Sequence, residues 1–360
     1  MIVSFDPANP DDGFYELNRT ACVDECPDEE VEPHCWRLEA EHLCGRPLGV
    51  AVTPDGASLL IADAYLGILE MALRGARRGA LSVVATHYID TDGERRALKL
   101  SNSIQVGASG VLYFTHTTDN WERRTILFDL LETSPGGKLI RMRDWRRRRD
   151  ETPRVVADGF TFPNGLVVDA GEAFALVAET AMSRVKRVEL PSGSVSVALD
   201  NAPCNIDNLA WGVGADGVSR DQSTVWLGCA VRRRRPFALI DLLAPHPHVR
   251  RWIGGLLHLA NASPVLYSLV PKTGMAIKAE ARPGARVLRI RDEGVYMDAT
   301  GADVSGNSTT PSPCTNWTRL VLPPVLSGHV SGNSMAVPFK GKLYMGSHKA
   351  EVGGLSVYSL

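Results

Sequence analysis

The chain has 360 residues, 44% of them hydrophobic, and a formal net charge of −2. That apolar share is ample for a buried core, and length alone allows one or two domains. The near-neutral balance excludes nucleic acid as an expected partner.

Residues 1–34 are acidic and irregular, with one expected strand near 14–17. Residues 1–30 hold no signal peptide, so either a segment precedes Met1 or the protein is not secreted. Residues 47–100 read as a first full blade, with strands at 49–52, 59–63, 67–73 and 81–86 and a Pro54-Asp55-Gly56 turn. Residues 102–160 read as the next, broken by an arginine-rich excursion at 144–151. A compact blade follows at 164–200, with strands at 166–168, 174–179, 184–189 and 195–199. Residues 205–292 read as a blade interrupted by helical matter at 237–243 and 249–259. Residues 293–360 close the ring, with a low-complexity loop at 301–313 and a strand at 354–360 that latches it by covering a free sheet edge.

The span 252–271 carries no Asp, Glu, Lys or Arg and has the length of a membrane crossing. It also contains Gly254, Gly255, His258, Asn261, Ser263 and Pro264. The expectation is therefore an amphipathic helix to about Leu259, a turn at 261–264 and a strand at 265–270. This insert is either a lid or a membrane-surface contact, and its His246 and His248, flanked by prolines, read as turn residues. The arginine runs 146–149 and 232–235 read as solvated loops, with an anionic lipid or a protease as the alternative contact.

A repeat underlies these elements. Its copies open at Pro47-Leu48-Gly49, Asn102-Ser103-Ile104, Pro163-Asn164-Gly165, Ile206-Asp207-Asn208 and Asn333-Ser334-Met335, and each opening is followed by a second, apolar strand. A two-strand repeat every roughly 40–60 residues is the signature of propeller blades. The fold class expected is all-β, a six-bladed β-propeller with a short helical insert and a first blade only partly accounted for. The domains are 1–34, an irregular segment with part of that blade, and 35–360, the propeller.

In a propeller the first strand of each blade lines the central channel. The openings place Asn102, Asn164, Asp207 and Asn208 there. Amide and carboxylate oxygens are hard donors suited to Ca²⁺, and the lack of sulfur and imidazole argues against zinc or copper. The same residue types also favour turns before strands, so both readings stand at this point. Sequons at Asn18, Asn261, Asn307 and Asn316 favour glycosylation in a secretory, oxidising compartment.

The runs Cys44-Gly45-Arg46-Pro47-Leu48-Gly49 and Ile61-Ala62-Asp63-Ala64-Tyr65-Leu66-Gly67 resemble the strictosidine synthase-like family. So do Leu112-Tyr113-Phe114-Thr115, Gly136-Gly137-Lys138-Leu139, Phe162-Pro163-Asn164-Gly165 and Val177-Ala178-Glu179-Thr180. The likeness extends from about residue 35 to 360. It is nearest to the adipocyte plasma membrane-associated protein branch, itself similar to paraoxonases, gluconolactonases and diisopropylfluorophosphatase.

The resemblance implies a channel calcium on Asn102, Asn164 and Asp207 with Asn208 adjacent, and a disulfide between Cys35 and Cys44. It also implies a secreted or membrane-anchored glycoprotein, the anchor lying upstream, that acts as an arylesterase or lactonase. In such hydrolases calcium polarises the carbonyl and stabilises the oxyanion.

The departures narrow this. Ser103 and His116 replace family aspartates, and His116 either faces the pocket as the candidate catalytic residue, titrating near neutrality, or lies on a surface or loop. Leu48 stands where paraoxonases carry a base histidine. Ser334-Met335 replaces the glutamate of plant strictosidine synthases, so their condensation ranks last among the functions the resemblance implies. No glutamate-bearing family strand is found in 1–30. Glu179, at a strand end, lines the channel or belongs to a structural motif. The function expected is a calcium-dependent hydrolase of a small ester or lactone; the alternative is a non-catalytic propeller that binds a partner or lipid through its lid face.

Overall fold

The second strand of each blade is the simplest to account for. Ser58–Asp63, Leu112–His116 and Phe174–Glu179 are buried along almost their whole length. Unbroken apolar runs such as Leu59-Leu60-Ile61-Ala62 suit a strand covered on both faces rather than one face of a solvated sheet. The computed structural model describes residues 2–5, 14–18, 45–147, 152–214, 216, 220–233, 239–262, 287–291, 296–297, 318–321, 333–340, 342–347 and 354–359. The chain divides into two compact units, Met1–Asp129 with Pro135–Phe160, and Leu130–Ser134 with Thr161–Leu360.

In the first unit, β1 (Ile2–Phe5) and β2 (Phe14–Asn18) form an antiparallel hairpin. The first blade is β3 (Pro47–Val52), β4 (Ser58–Asp63), β5 (Gly67–Ala72) and β6 (Leu81–Ala85), paired in chain order. Short polar side chains shape its turns: the Asp63 carboxylate accepts the backbone N–H groups of Tyr65 and Leu66 at 2.9 and 3.0 Å.

The next sheet holds β7 (His87–Ile89), β8 (Arg95–Ala97), β9 (Ser101–Val106), β10 (Leu112–His116), β11 (Gly137–Met142) and β12 (Arg154–Phe160). Their order is β8-β7-β12-β11-β10-β9. Helix α1 (Ile126–Glu132) lies between β10 and β11. The expected first blade ran to residue 100, but residues 87–97 form a hairpin joined to this second sheet by the parallel pairing of Arg154 with Ile89. Leu60, Ala62 and Ile68 pack with Ile104, Leu112, Phe114 and Ile140 in one apolar cluster.

In the second unit, β13 (Pro163–Val168), β14 (Phe174–Glu179), β15 (Arg184–Glu189) and β16 (Val195–Leu199) form a four-stranded meander. A five-stranded sheet follows, of β17 (Cys204–Val213), β18 (Arg220–Arg232), β19 (Val287–Arg291), β20 (Tyr296–Met297) and β21 (Thr318–Val321). Between β18 and β19 stand α2 (Leu239–Leu243) and α3 (Pro247–Ala262). Strands β22 (Asn333–Phe339), β23 (Lys342–Ser347) and β24 (Gly354–Ser359) make a three-stranded sheet. Val167, Leu176 and Val185 share a core with Ile206, Trp211 and Leu227, and the indole N–H of Trp211 donates to the Val168 carbonyl at 2.8 Å.

These up-and-down sheets are blades, and the fold class is the all-β, six-bladed β-propeller with a helical insert. Helix α3 continues to Ala262, beyond its expected end near Leu259. Among the described residues no helix is long and apolar enough to cross a membrane. The expected strand at 265–270 and loop at 301–313 lie outside the described residues.

Candidate functional site

Each repeat opening does two jobs. In the first unit, a Cβ built on Gly49 of β3 would stand 2.3 Å from the Asn102 carbonyl oxygen and 2.9 Å from Ser103 Cα on β9. In the second, a Cβ on Gly165 of β13 would stand 2.5 Å from Asn208 Cα and Leu209 N on β17. The glycine of the repeat is thus where the first strands of consecutive blades meet, backbone against backbone. The amide and carboxylate side chains flank that contact.

In the second unit the contact brings two expected ligands together. The Asn164 side-chain nitrogen donates to the Asp207 carboxylate at 2.6 Å; Asn164 is buried, and Asp207 and Asn208 are half-buried. The start of β17 is fixed around them. Thr180 Oγ1 donates to the Ile206 carbonyl at 2.6 Å, and the Asn205 amide donates to the Thr180 carbonyl at 2.9 Å and to Ser183 Oγ at 3.2 Å. Asn102 belongs to the first unit, where it is half-buried and its amide donates to Thr117 Oγ1 at 3.3 Å.

In the second unit the donor chemistry of Asn164, Asp207 and Asn208 fits calcium, which accepts amide, carboxylate and carbonyl oxygens. It does not fit zinc. Among the described residues no group of three or more His, Cys, Asp or Glu side chains could hold a metal. A cation here would therefore depend on amides around a single carboxylate, Asp207.

Glu179 has a structural part. It is fully buried, accepts the Thr161 N–H at 2.7 Å and is ion-paired with Arg184 and, at 3.1 Å, Lys186. These bonds tie β14 to the neighbouring strand and to the entry of β13.

His116 corrects the sequence reading of a surface or loop residue. It is fully buried at the end of β10, in register with Ser101 on β9 and Lys138 on β11. Its Nε2 meets Asp119 Oδ1 at 2.9 Å, and because a carboxylate only accepts, Nε2 carries the proton. The Tyr88 hydroxyl donates to the same oxygen at 2.5 Å, and Lys138 pairs with Asp119 and lies 3.8 Å from Asp90. Arg96 pairs with Asp90 at 2.6 Å.

Burial lowers the His116 pKa from its ordinary value more than the Asp119 carboxylate raises it, so His116 is neutral at pH 7 and does not titrate there. Asp119 loses some solvation too, but hydrogen bonds from His116, Lys138 and Tyr88 outweigh that loss and hold it well below the usual carboxylate range. Burial, followed by the bond to Asp119, pushes the Tyr88 hydroxyl well up. Of this network, sequence reasoning had singled out His116 and, in its Gly-Gly-Lys-Leu motif, Lys138. It had missed Tyr88, Asp90 and Asp119, which only strand pairing assembles.

A disulfide that the sequence reading did not anticipate joins Cys204 on β17 to Cys229 on β18, with Cα atoms 5.5 Å apart. The expected partners Cys35 and Cys44 lie outside the described residues, as do Asn307 and Asn316. Asn18 ends β2, and Asn261 sits in the last turn of α3.

A family model described as "Strictosidine synthase" matches residues 102–190. Adipocyte plasma membrane-associated protein of Danio rerio is 29% identical over 255 residues, 69% of this chain and 56% of that protein. The Homo sapiens protein of that name is 30% identical over 224 residues, 61% of this chain and 50% of its own length. Protein STRICTOSIDINE SYNTHASE-LIKE 13 of Arabidopsis thaliana is 32% identical over 163 residues, 44% of this chain and 38% of that protein. The chain thus spans about half the length of the animal relatives it matches. Among solved structures, a calcium-binding protein, regucalcin, from Agrobacterium tumefaciens aligns over 87% of this chain and 75% of its own, at 13% identity and a TM-score of 0.43.

Proposed function

We propose that this chain, which belongs to the strictosidine synthase-like family on the branch of the adipocyte plasma membrane-associated proteins, is a calcium-dependent hydrolase of small esters or lactones. The observation that carries the proposal is the Asn164–Asp207 pair, held at 2.6 Å at the openings of β13 and β17. Asp207 would hold the cation with Asn164 and Asn208. When bound, calcium would polarise the substrate carbonyl and stabilise the developing oxyanion. Asp207 brings the single full negative charge of the three side chains, so it carries most of the affinity. Asn164 orients its carboxylate, and the bonds of Thr180 and Asn205 keep the start of β17 in place. His116 is fully buried in the first unit, and this reading gives it no proton-transfer step.

The Cys204–Cys229 disulfide and the sequons support an oxidising compartment, the secretory lumen or the cell exterior. The test is calcium titration by calorimetry together with aryl acetate and lactone hydrolysis, for the wild type and Asp207→Ala. Binding and turnover should both vanish in the variant and with a chelator. Turnover undiminished by both treatments would sink the proposal.

A second reading, a non-catalytic module working through its helical insert, is favoured by the exposed apolar face of α3. Calcium binding without turnover on any ester would select it.

A further inference from the structure

Helix α3 shows its apolar side to solvent. Val249, Trp252, Leu256 and Leu259 recur at helical spacing on one stripe and are 46%, 74%, 61% and 61% exposed. Along the adjoining flank of the helix Arg250, Ile253 and Gly254 are half-buried. A helix packed by its apolar face would show the reverse.

The orientation is anchored. The Arg250 guanidinium donates to the Leu131 and Glu132 carbonyls at 3.1 and 3.2 Å and also to Thr133 Oγ1. These are acceptors at the C-terminal end of α1, where helix carbonyls need outside donors. At the other end of the insert, Arg233 grips Asp241 of α2 with both carboxylate oxygens, at 2.7 and 2.8 Å from its Nε. With α3 tied by its arginine side, the stripe is left pointing outward.

The charge pattern selects what the stripe meets. From Leu242 to Ala279 the sequence holds no Asp or Glu but has Arg250, Arg251, Lys272 and Lys278. Arg251 is exposed beside Trp252. An exposed tryptophan and leucines with cations and no acids match the anionic headgroup region of a lipid surface, where the indole sits at the interface and the aliphatic side chains enter the acyl boundary.

We propose that α3 is a peripheral membrane-docking helix, seated on an anionic bilayer by Val249, Trp252, Leu256 and Leu259 and steered there by Arg251. This deepens the second reading without needing it, because the surface stands whether or not the inner strands catalyse hydrolysis. The ester assay in solution and the vesicle assay below therefore fail independently.

The test is flotation of the full chain with vesicles of phosphatidylcholine alone and of phosphatidylcholine mixed with phosphatidylserine. The wild type should float with the mixed vesicles only. Trp252→Ser/Leu256→Ser should partition about tenfold more weakly or worse, for two withdrawn apolar side chains. Arg251→Gln should partition about fivefold more weakly, the effect of one cation at an anionic surface, and this difference should disappear at high salt. These side chains are exposed, so all variants should melt with the wild type, which separates lost docking from lost folding. Wild type that stays unbound to both vesicles, or a double variant that floats like wild type, overturns the proposal. So does a lipid-free dimer that Trp252→Ser/Leu256→Ser converts to monomer, since the stripe would then belong to a second copy of the chain.

Discussion

Replacing Gly165 by alanine tests the whole account of how the inner strands carry the site. The added methyl would lie 2.5 Å from Asn208 Cα and Leu209 N and 2.7 Å from the Asn208 carbonyl carbon. All three are backbone atoms, so no rotamer change relieves the contact. Carbon atoms rest at about 3.5 Å or more, so β13 and β17 must separate by about 1 Å. That movement would lengthen the 2.6 Å Asn164–Asp207 bond to about 3.6 Å, past hydrogen-bond range. Overpacking costs about 1–3 kcal/mol, and the stiffer unfolded chain returns about 0.4–1 kcal/mol. The net loss is about 1 kcal/mol, or roughly 2 °C in melting temperature.

Calcium affinity measured by calorimetry should fall as well, because Asp207 precedes the displaced residue. Gly254→Ala is the control: its Cβ meets nothing within 4 Å in the middle of α3, so the same chemical change should stabilise by about 0.5–1 kcal/mol. Differential scanning calorimetry of both variants decides the matter. A Gly165→Ala protein that melts with the wild type, or above it, refutes the close approach of the two strands.

Glu179→Gln should lower stability by about 3 kcal/mol in urea titration, because it strands Arg184 and Lys186. The loss sits at the lower end of the range because Arg184 is 23% exposed; an unchanged midpoint would mean that the ion pairs are dispensable. The His116 pKa is lowered in the folded chain, so below about pH 6.5 the unfolded chain binds a proton that the folded one refuses. Stability is therefore full above that pH and is lost as pH falls toward the depressed folded value. Melting curves from neutral to mildly acid pH should show this loss in the wild type and not in His116→Gln. The contribution of Asp119, also lowered, is separate: it is present above about pH 3.9 and lost only below it. Cys204→Ala/Cys229→Ala releases a cross-link between positions 25 residues apart and should lower stability by about 3–4 kcal/mol on the chain-entropy estimate. A shift of the urea midpoint toward lower concentration checks it.

The strands of the blade at 163–199 were legible because their signals are local. Phe174–Glu179, Arg184–Glu189 and Val195–Leu199 fall where apolar runs and turn residues place them. The openings with Asn102, Asn164 and Asp207 were legible for the same reason, since a repeat marks equivalent positions without needing contacts. The hairpin at 87–97 was assigned to the wrong blade, because its membership rests on the pairing of Ile89 with Arg154, distant in sequence. Helix α1 escaped notice as well; at seven residues it is too short to show a clear helical period. Cys204 and Cys229, each inside an apolar strand, looked like core residues until β17 and β18 were paired.

By itself the sequence determined the blade pattern, the polar residues at the strand openings and the acid-free insert, all of which are written in nearest neighbours and periodicity. Tertiary structure alone decided that Asn164 reaches Asp207, that His116 is sealed against Asp119, and that the apolar stripe of α3 faces outward. Each of these depends on which strand or helix lies alongside another. Burial and hydrogen bonding are properties of the packed neighbours, and residues far apart in the chain supply them.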